Sequence, residues 1–389
     1  MPSNASSPLQ EPNFSGSIDM NSTPRTLRKI AYGFQLDVND IRAENNELKR
    51  KLADLENQQA GSKKKKSDVT EETDEEQDRN ELVKNLAHKN VLMCWLWLRM
   101  GAKTFSQQVD PEYSPLDRFD NTKGKVQGEL SDLLELLPPQ LQSAECMASS
   151  WLRQCQFIEE MGVQRSNTAY RLRRQCGPSI FNCSAQDLAL AIQRDKLFRE
   201  RNGWLESAGS EGDGSGEYST WDVALLHDDT YQGKFDRKSI FLNPILLRIF
   251  AVLVRGPSAV EAMLAGLPVV AKGETMATKL GLTRTTAGAI AGCAVLARWV
   301  VSPDGTLQSK GLISSINYQK LFDTYLKYLL TGLDTKKATV NKIFQVWDQA
   351  IFPATADTGL GAGCAGSNAE QDEAEAEVFA DLADDETVE

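Results

Sequence analysis

The sequence predicts a mainly α-helical protein with an N-terminal parallel coiled coil, an α-helical globular domain, a disordered N-terminus and an acidic C-terminal tail. Three observations lead there. A 4-3 spacing runs without a break from Leu27 to Leu55, apolar at every position but Asn45. Between Glu81 and Phe352 helical periodicity and capping signals recur, with few strand signals. Charge is concentrated at 59–80 and 356–389, where no core can be assembled.

Residues 1–23 are rich in Ser, Asn and Pro, lack periodicity and read as a disordered lead. At 24–58 the pattern changes. Leu27, Phe34, Ile41, Leu48 and Leu55 take d positions, and Ala31, Val38, Asn45 and Leu52 take a positions. Such a seam is a dimerisation surface, and a helix of its length reaches about 44 Å, too long and narrowly striped for an ordinary surface helix. In a parallel dimer Asp37 meets Arg42, Glu44 meets Lys49 and Lys51 meets Glu56, all attractive pairs. Asn45 at a core position pairs with its twin in that register and is left unsatisfied in most slipped ones. A leucine-zipper transcription factor is disfavoured upstream, because only Arg25, Arg28 and Lys29 precede the heptads and Pro24 stops a continuous basic helix.

Residues 59–80 form a charged linker expected to be disordered. Its lysine run, Lys63, Lys64, Lys65 and Lys66, reads equally as a nuclear import signal or as a solvated charge run. The globular domain is expected at 81–355. A first helix carries Leu82, Leu86 and the run VLMCWLWL; a second ends at Pro138-Pro139; a third runs from Cys146 to Met161. Ser184 with Asp187 opens a helix over SAQDLALAIQRDKLFRER, and the Gly- and Ser-rich stretch 206–220 is expected to be a mobile loop. Pro244 suits the first turn of PILLRIFAVLV, which Gly256 ends, and Ser258 with Glu261 opens the next helix. Thr285 to Val301 is a small-residue helix whose Gly288 and Gly292 permit close helix packing. Two apolar stripes, one from Leu321 ending at Gly332 and one from Val340 ending at Pro353, predict a helical hairpin.

The net charge of −11 resides in the tail 356–389, which holds eleven acidic residues and no basic one, so the other 355 residues are neutral overall. The tail is expected to be disordered. Seven cysteines without a repeated spacing indicate free thiols in a reducing compartment. The N-terminus lacks the basic start and apolar core of a secretory signal, and no apolar run approaches the ~18 residues a membrane span needs. These features point to an intracellular protein, nuclear or cytoplasmic, that does not enter a membrane.

The candidate chemistry is sparse. His88 and His227 are the only histidines, and His227-Asp228-Asp229 reads as a polar loop. Cys146, Cys155, Cys176 and Cys183 lack the paired spacing of zinc ligands. Gly256-Pro257-Ser258 is a helix end and restart, and neither common nucleotide-binding fingerprint is present. No cofactor, metal or catalytic residue is expected. One basic stretch stands out: Met161 to Arg201 holds eight basic residues against three acids. Arg165, Arg171, Arg173 and Arg174 are its candidate phosphate contacts. The same arginines also fit solvated helix faces or docking of the acidic tail.

The order WLES, the Asn243-Pro244 helix leading to GPS, LTRTTAGAIAGCAVLARWVVS, YQKLFDTYLKYLL and VNKIFQVWDQAIFP resembles an uncharacterised, lineage-expanded domain family of mushroom-forming fungi, over roughly 195–353. The closing Trp and Ile-Phe-Pro signature is its most specific part. The His-containing segment of the family pattern after GPS is replaced here by Gly and Ala residues. The resemblance implies a domain boundary and a fungal source, and no activity.

The expectation is therefore a non-enzymatic interaction or scaffold protein. Its partners are a second copy of itself, as a parallel homodimer, and a further protein of unknown identity. The alternative is a nuclear nucleic-acid-associated or regulatory protein using Lys63–Lys66 and the Arg165–Arg201 stretch.

Overall fold

The structure is a computed structural model that describes residues 74–142, 156–206, 216–267, 269 and 273–353. The expected lead 1–23, coiled coil 24–58, lysine run 63–66 and tail 356–389 lie outside the described residues, as do 207–215 within the expected loop. The described residues are mainly α-helical, and none of their helices is long and apolar enough to cross a membrane.

Helix α1 spans Asp74–Met93, so it begins inside the expected linker. It also stops earlier than the apolar run suggested. Cys94 to Leu98 leave the helix after the Asn90 carbonyl accepts from both Cys94 N (2.9 Å) and Trp95 N (2.8 Å). The reason is tertiary: the Met93 carbonyl at the helix end accepts from the Thr286 hydroxyl, and turning the chain there buries Trp95 and Leu96.

Helix α2, Thr122–Leu136, starts at Asn121, whose side chain accepts from Gly124 N, and ends ahead of Pro138-Pro139 as its sequence requires. Helix α3, Gln156–Tyr170, runs past the expected end at Met161 and continues as a π-helical turn over Arg171–Gln175. Residues 143–155, the expected start of this helix, are outside the described residues. After the short helix α4, Gly177–Phe181, the Ser184–Asp187 capping box opens α5, Ala185–Ala189. The single helix expected here is broken. Leu190 is extended, at φ −102° and ψ 137°, and α6 restarts at Ala191–Phe198. The break frees the Leu188 and Ala189 carbonyls, and both accept from Arg194.

The flanks of the expected mobile loop are ordered strands. Trp204–Glu206 (β1) and Gly216–Tyr218 (β2) pair antiparallel, with Trp204 opposite Tyr218 and their rings 4.9 Å apart. Helix α7, Pro244–Arg255, has Pro at its first position, an Asn243 cap and a terminating Gly256 at φ 97°. Helix α8, Ser258–Leu264, follows Pro257 and has no side-chain cap, so the expected Ser258 and Glu261 device is not used. The four-residue α9, Met276–Lys279, is capped by Thr275.

Helix α10, Ala287–Val301, is the centre: all fifteen residues are buried. Helices α1 and α7 pack against it, together with α11, Tyr318–Asp334. Helix α12, Ala338–Ile351, follows α11 as the expected hairpin and also packs on α7. Gly332 does not end α11. It lies inside the helix, where a Cβ would overlap the Val340 side chain, so it is the point where α12 crosses closest. The turn is made instead at Lys336, at φ 53°, with Lys337 N donating to the Gly332 carbonyl.

The small residues of α10 act differently from one another. A Cβ on Gly288 would overlap the Met93 and Cys94 carbonyls at the end of α1, whereas one on Gly292 would meet only Leu96 and Phe322, each 3.9 Å away. Gly288→Ala is therefore expected to lower the unfolding free energy by about 1–3 kcal/mol. Gly292→Ala is expected to be neutral or to gain up to about 1 kcal/mol through helix propensity. Denaturant unfolding of the two variants checks this contrast.

Candidate functional site

A helix buried on every side carries a problem at its C-terminus: its last four carbonyls have no intrahelical partner and cannot reach water. In α10 the arginines of the sequence's basic stretch solve it. Arg173, on the π-helical turn, donates from Nη2 to the Trp299 carbonyl (2.6 Å) and from Nε to Val300 (3.1 Å). Its Nη1 donates to Asp304 (2.7 Å) and Gly305 (3.2 Å). The guanidinium carbon lies 3.7 Å over the Trp299 ring. Arg194 donates from Nε to the Ser302 carbonyl (2.7 Å), and Asn202 Nδ2 donates to the Arg298 carbonyl (3.1 Å). Two cations at the negative end of the helix macrodipole add a favourable electrostatic contribution.

This placement corrects the reading of Arg173 as a phosphate contact, because its donors face inward and it is 5% exposed. Arg165 is half-buried and its Nη1 donates to the Leu96 carbonyl (2.9 Å). Arg171 is half-buried and Arg174 exposed, so the four are not brought together as one phosphate-facing surface. With Arg173 and Arg194 buried, six basic residues and three acids remain in the stretch from Met161 to Arg201.

Arg298 extends the same network inside α10. Its Nε donates to Asn202 Oδ1 (3.0 Å), Nη2 to the Asn202 carbonyl (3.1 Å) and Nη1 to the Tyr325 hydroxyl (2.9 Å). The loop beyond α10 folds around Asp304, which is 1% exposed. Its carboxylate accepts from Ile313 N (2.8 Å), Ser314 N (3.1 Å) and the Tyr318 hydroxyl (2.7 Å). Burial, with the Asp304 charge beside it, holds the Tyr318 phenol well above its ordinary range.

His227 is also recast. Within its loop the ring sits at zero exposure, with an isolated bridge from His227 to Ile240. Nε2–H donates to the Trp221 carbonyl (3.1 Å), Nδ1 accepts from the Ser239 hydroxyl (2.8 Å), and the ring stacks on Tyr231 with centroids 4.5 Å apart. Burial pushes its pKa down, so the imidazole is held neutral and both nitrogens are occupied. Phe241 nearby adopts φ 58°, a strained value for a bulky residue, and its carbonyl accepts from Trp347 Nε1 (2.9 Å). The closing tryptophan of the sequence signature therefore anchors this bend.

Among the described residues the thiols are held protonated by burial. Burial pushes Cys94 up to about 12 and raises Cys176, Cys183 and Cys293. Cys146 and Cys155 lie outside the described residues. Among the described residues no group of three His, Cys, Asp or Glu is placed to hold a metal ion.

An open cavity of about 390 Å³ lies between α1, the start of α3 and α9, lined by Asn80, Glu81, Lys84, Gln156, Glu160 and Lys279. Its charges are largely paired with one another. Lys279 Nζ is 3.1 Å from Glu81 Oε1, and Glu160 Oε2 is 3.1 Å from His88 Nε2. Burial lowers the His88 pKa against the pull of Glu160.

None of Arg194, Asn202, Asp304 or Arg298 was legible as a structural hub. The one available signal was the all-round apolar character of α10, which implies that its end must be capped from elsewhere. Arg173→Met keeps much of the stem while leaving buried carbonyls without donors. It is expected to cost about 3 kcal/mol, read as a lower denaturant midpoint at unchanged m-value.

A family model described as a family of unknown function (DUF6698) matches residues 210–352, so this part of the chain is similar to that family. No curated protein and no solved structure matches the chain. The matched segment contains α10 but not Arg173, Arg194 or Asn202, which cap it. Residues 210–352 expressed alone are accordingly expected to lack a cooperative thermal transition, whereas 74–353 shows one; calorimetry of the two fragments checks this.

Proposed function

We propose that the chain is a non-enzymatic interaction or scaffold protein that forms a parallel homodimer through residues 27–55 and displays the helical domain to a further protein partner. The observation that carries this reading is the unbroken 4-3 spacing from Leu27 to Leu55, apolar at every position but Asn45, with attractive flanking charges. The domain supports it from another side. The guanidinium groups of Arg173, Arg194 and Arg298, both His227 nitrogens and the Asp304 carboxylate already have partners within the domain, so they act as struts. A fungal lineage, implied by the resemblance over 195–353, and an intracellular location, nuclear or cytoplasmic, belong to the same proposal. The nucleic-acid alternative keeps Lys63–Lys66 and, from the Arg165–Arg201 stretch, Arg171, Arg174, Lys196, Arg199 and Arg201, since Arg165 and Arg173 donate to carbonyls and Arg194 is buried.

Light scattering on the full chain at micromolar concentration is expected to give twice the chain mass of 43.0 kDa. The double variant Ile41→Asp, Leu48→Asp is expected to give the single-chain mass, because two charges in the seam remove its apolar contact. A single-chain mass for the unaltered protein sinks the proposal.

A further inference from the structure

A second polar network lies away from the α10 cap, where the chain leaving α1 passes between α2 and α11. Glu129 on α2 is fully buried. Its Oε2 accepts from the backbone N–H of Arg99 (3.0 Å), and Arg99 Nε stands 3.2 Å from Oε1 without hydrogen-bond alignment. The same guanidinium pairs through Nη2 with Asp323 on α11, which is 6% exposed and also receives Lys125 Nζ at 3.5 Å and Gln319 Nε2 at 3.4 Å. Arg118, the other cation near Glu129, pairs with Asp132 and donates to the Gly128 carbonyl (2.6 Å). Trp95 Nε1 donates to that Asp132 (2.7 Å). The charged groups facing Glu129 are thus Arg99 from the segment after α1, Asp323 from α11 and Arg118 from the 3-10 turn Pro115–Phe119. Two buried carboxylates divide one guanidinium.

We infer that Glu129, Arg99 and Asp323 form a pH-sensitive latch that holds the segment 99–121 against α2 and α11 and loosens as Glu129 loses its proton. With Glu129 protonated, Arg99 serves Asp323 alone and the buried side carries one fewer charge. With Glu129 ionised, a second anion has to share Arg99 with Asp323, helped only by Lys125 at 3.5 Å from Asp323 and by Arg118, which is already paired with Asp132, so burial of the charge favours the open segment in which the carboxylate is hydrated. Burial pushes the Glu129 carboxyl up to about 7, from an ordinary value near 4.5, and the neighbouring Asp323 charge adds to this while Arg99 opposes it. For an acid raised by folding, the stabilisation is complete below the ordinary value and is lost as pH rises through the raised one. The window is therefore about pH 4.5 to 7. His88 and His227, lowered by burial, act with the opposite sign: their contribution is lost as pH falls below the ordinary histidine value.

Amide hydrogen exchange of the full chain at pH 5.5 and 7.5, corrected for intrinsic exchange rates, tests the latch. Protection of segment 99–121 is expected to fall on the order of tenfold at the higher pH, the linkage expected of a carboxyl released from the site. Peptides from α12 serve as the internal reference. In Glu129→Gln the pH-dependent difference is expected to shrink below about twofold. Unchanged protection in the unaltered protein, or an undiminished fall in Glu129→Gln, overturns the inference. Should Glu129→Gln fail to fold, Asp323→Asn provides the test. Removing the neighbouring carboxylate charge lowers the Glu129 pKa, so a series from pH 4.5 to 8 is expected to show the fall completed at lower pH, and an unmoved profile overturns the latch.

Discussion

The buried C-terminus of α10 is the constraint around which the domain is organised. Fifteen buried residues give that helix its packing, yet the same burial denies water to the carbonyls of its last turn. Each unpaired carbonyl would cost about 1–3 kcal/mol, so the helix can occupy the centre only if donors come to it. Arg173, Arg194 and Asn202 are brought there by three separate elements: the π-helical turn after α3, helix α6 and the turn before β1. The widened turn at Arg171–Gln175 and the break at Leu190 lie beside these donors, which ties two local irregularities to one tertiary demand.

The consequence for domain organisation is direct. The segment similar to a family of unknown function, 210–352, supplies the central helix, while residues 156–206 supply much of its cap and α1 closes its other end through Met93, Thr286 and Gly288. Contact and capping bind these segments into one folding unit. Polar side chains that would suggest chemistry in isolation are used as internal fasteners.

Much of the helical layout was legible because it rests on local chemistry. Pro244 with Asn243, the Ser184–Asp187 box, the stop before Pro138 and the α11–α12 hairpin each depend on residues within one turn or one apolar stripe. The misreadings share the opposite origin. The run VLMCWLWL is as apolar as a buried helix, and it leaves the helix where Thr286 and Gly288 meet its carbonyls from nearly two hundred residues away. Arg173 looked like a surface cation because sequence cannot show that a distant helix ends beneath it. His227 sat among aspartates in the chain, yet folding places its ring against Tyr231, Ser239 and the Trp221 carbonyl.

By itself the sequence determined the mainly α-helical class, the bounds of α7, the stop of α2 before Pro138, the α11–α12 hairpin, the small-residue character of α10 and the concentration of negative charge in the tail. These follow from periodicity, capping and composition, all of which act over a few residues. Only the tertiary structure decided which arginines face solvent, where α1 stops, which of Gly288 and Gly292 is sterically required, and that Glu129 and Asp323 divide Arg99. Those outcomes depend on desolvation and on partners far apart in the chain, and the free energy of a buried charge or carbonyl is fixed by what surrounds it rather than by its sequence neighbours.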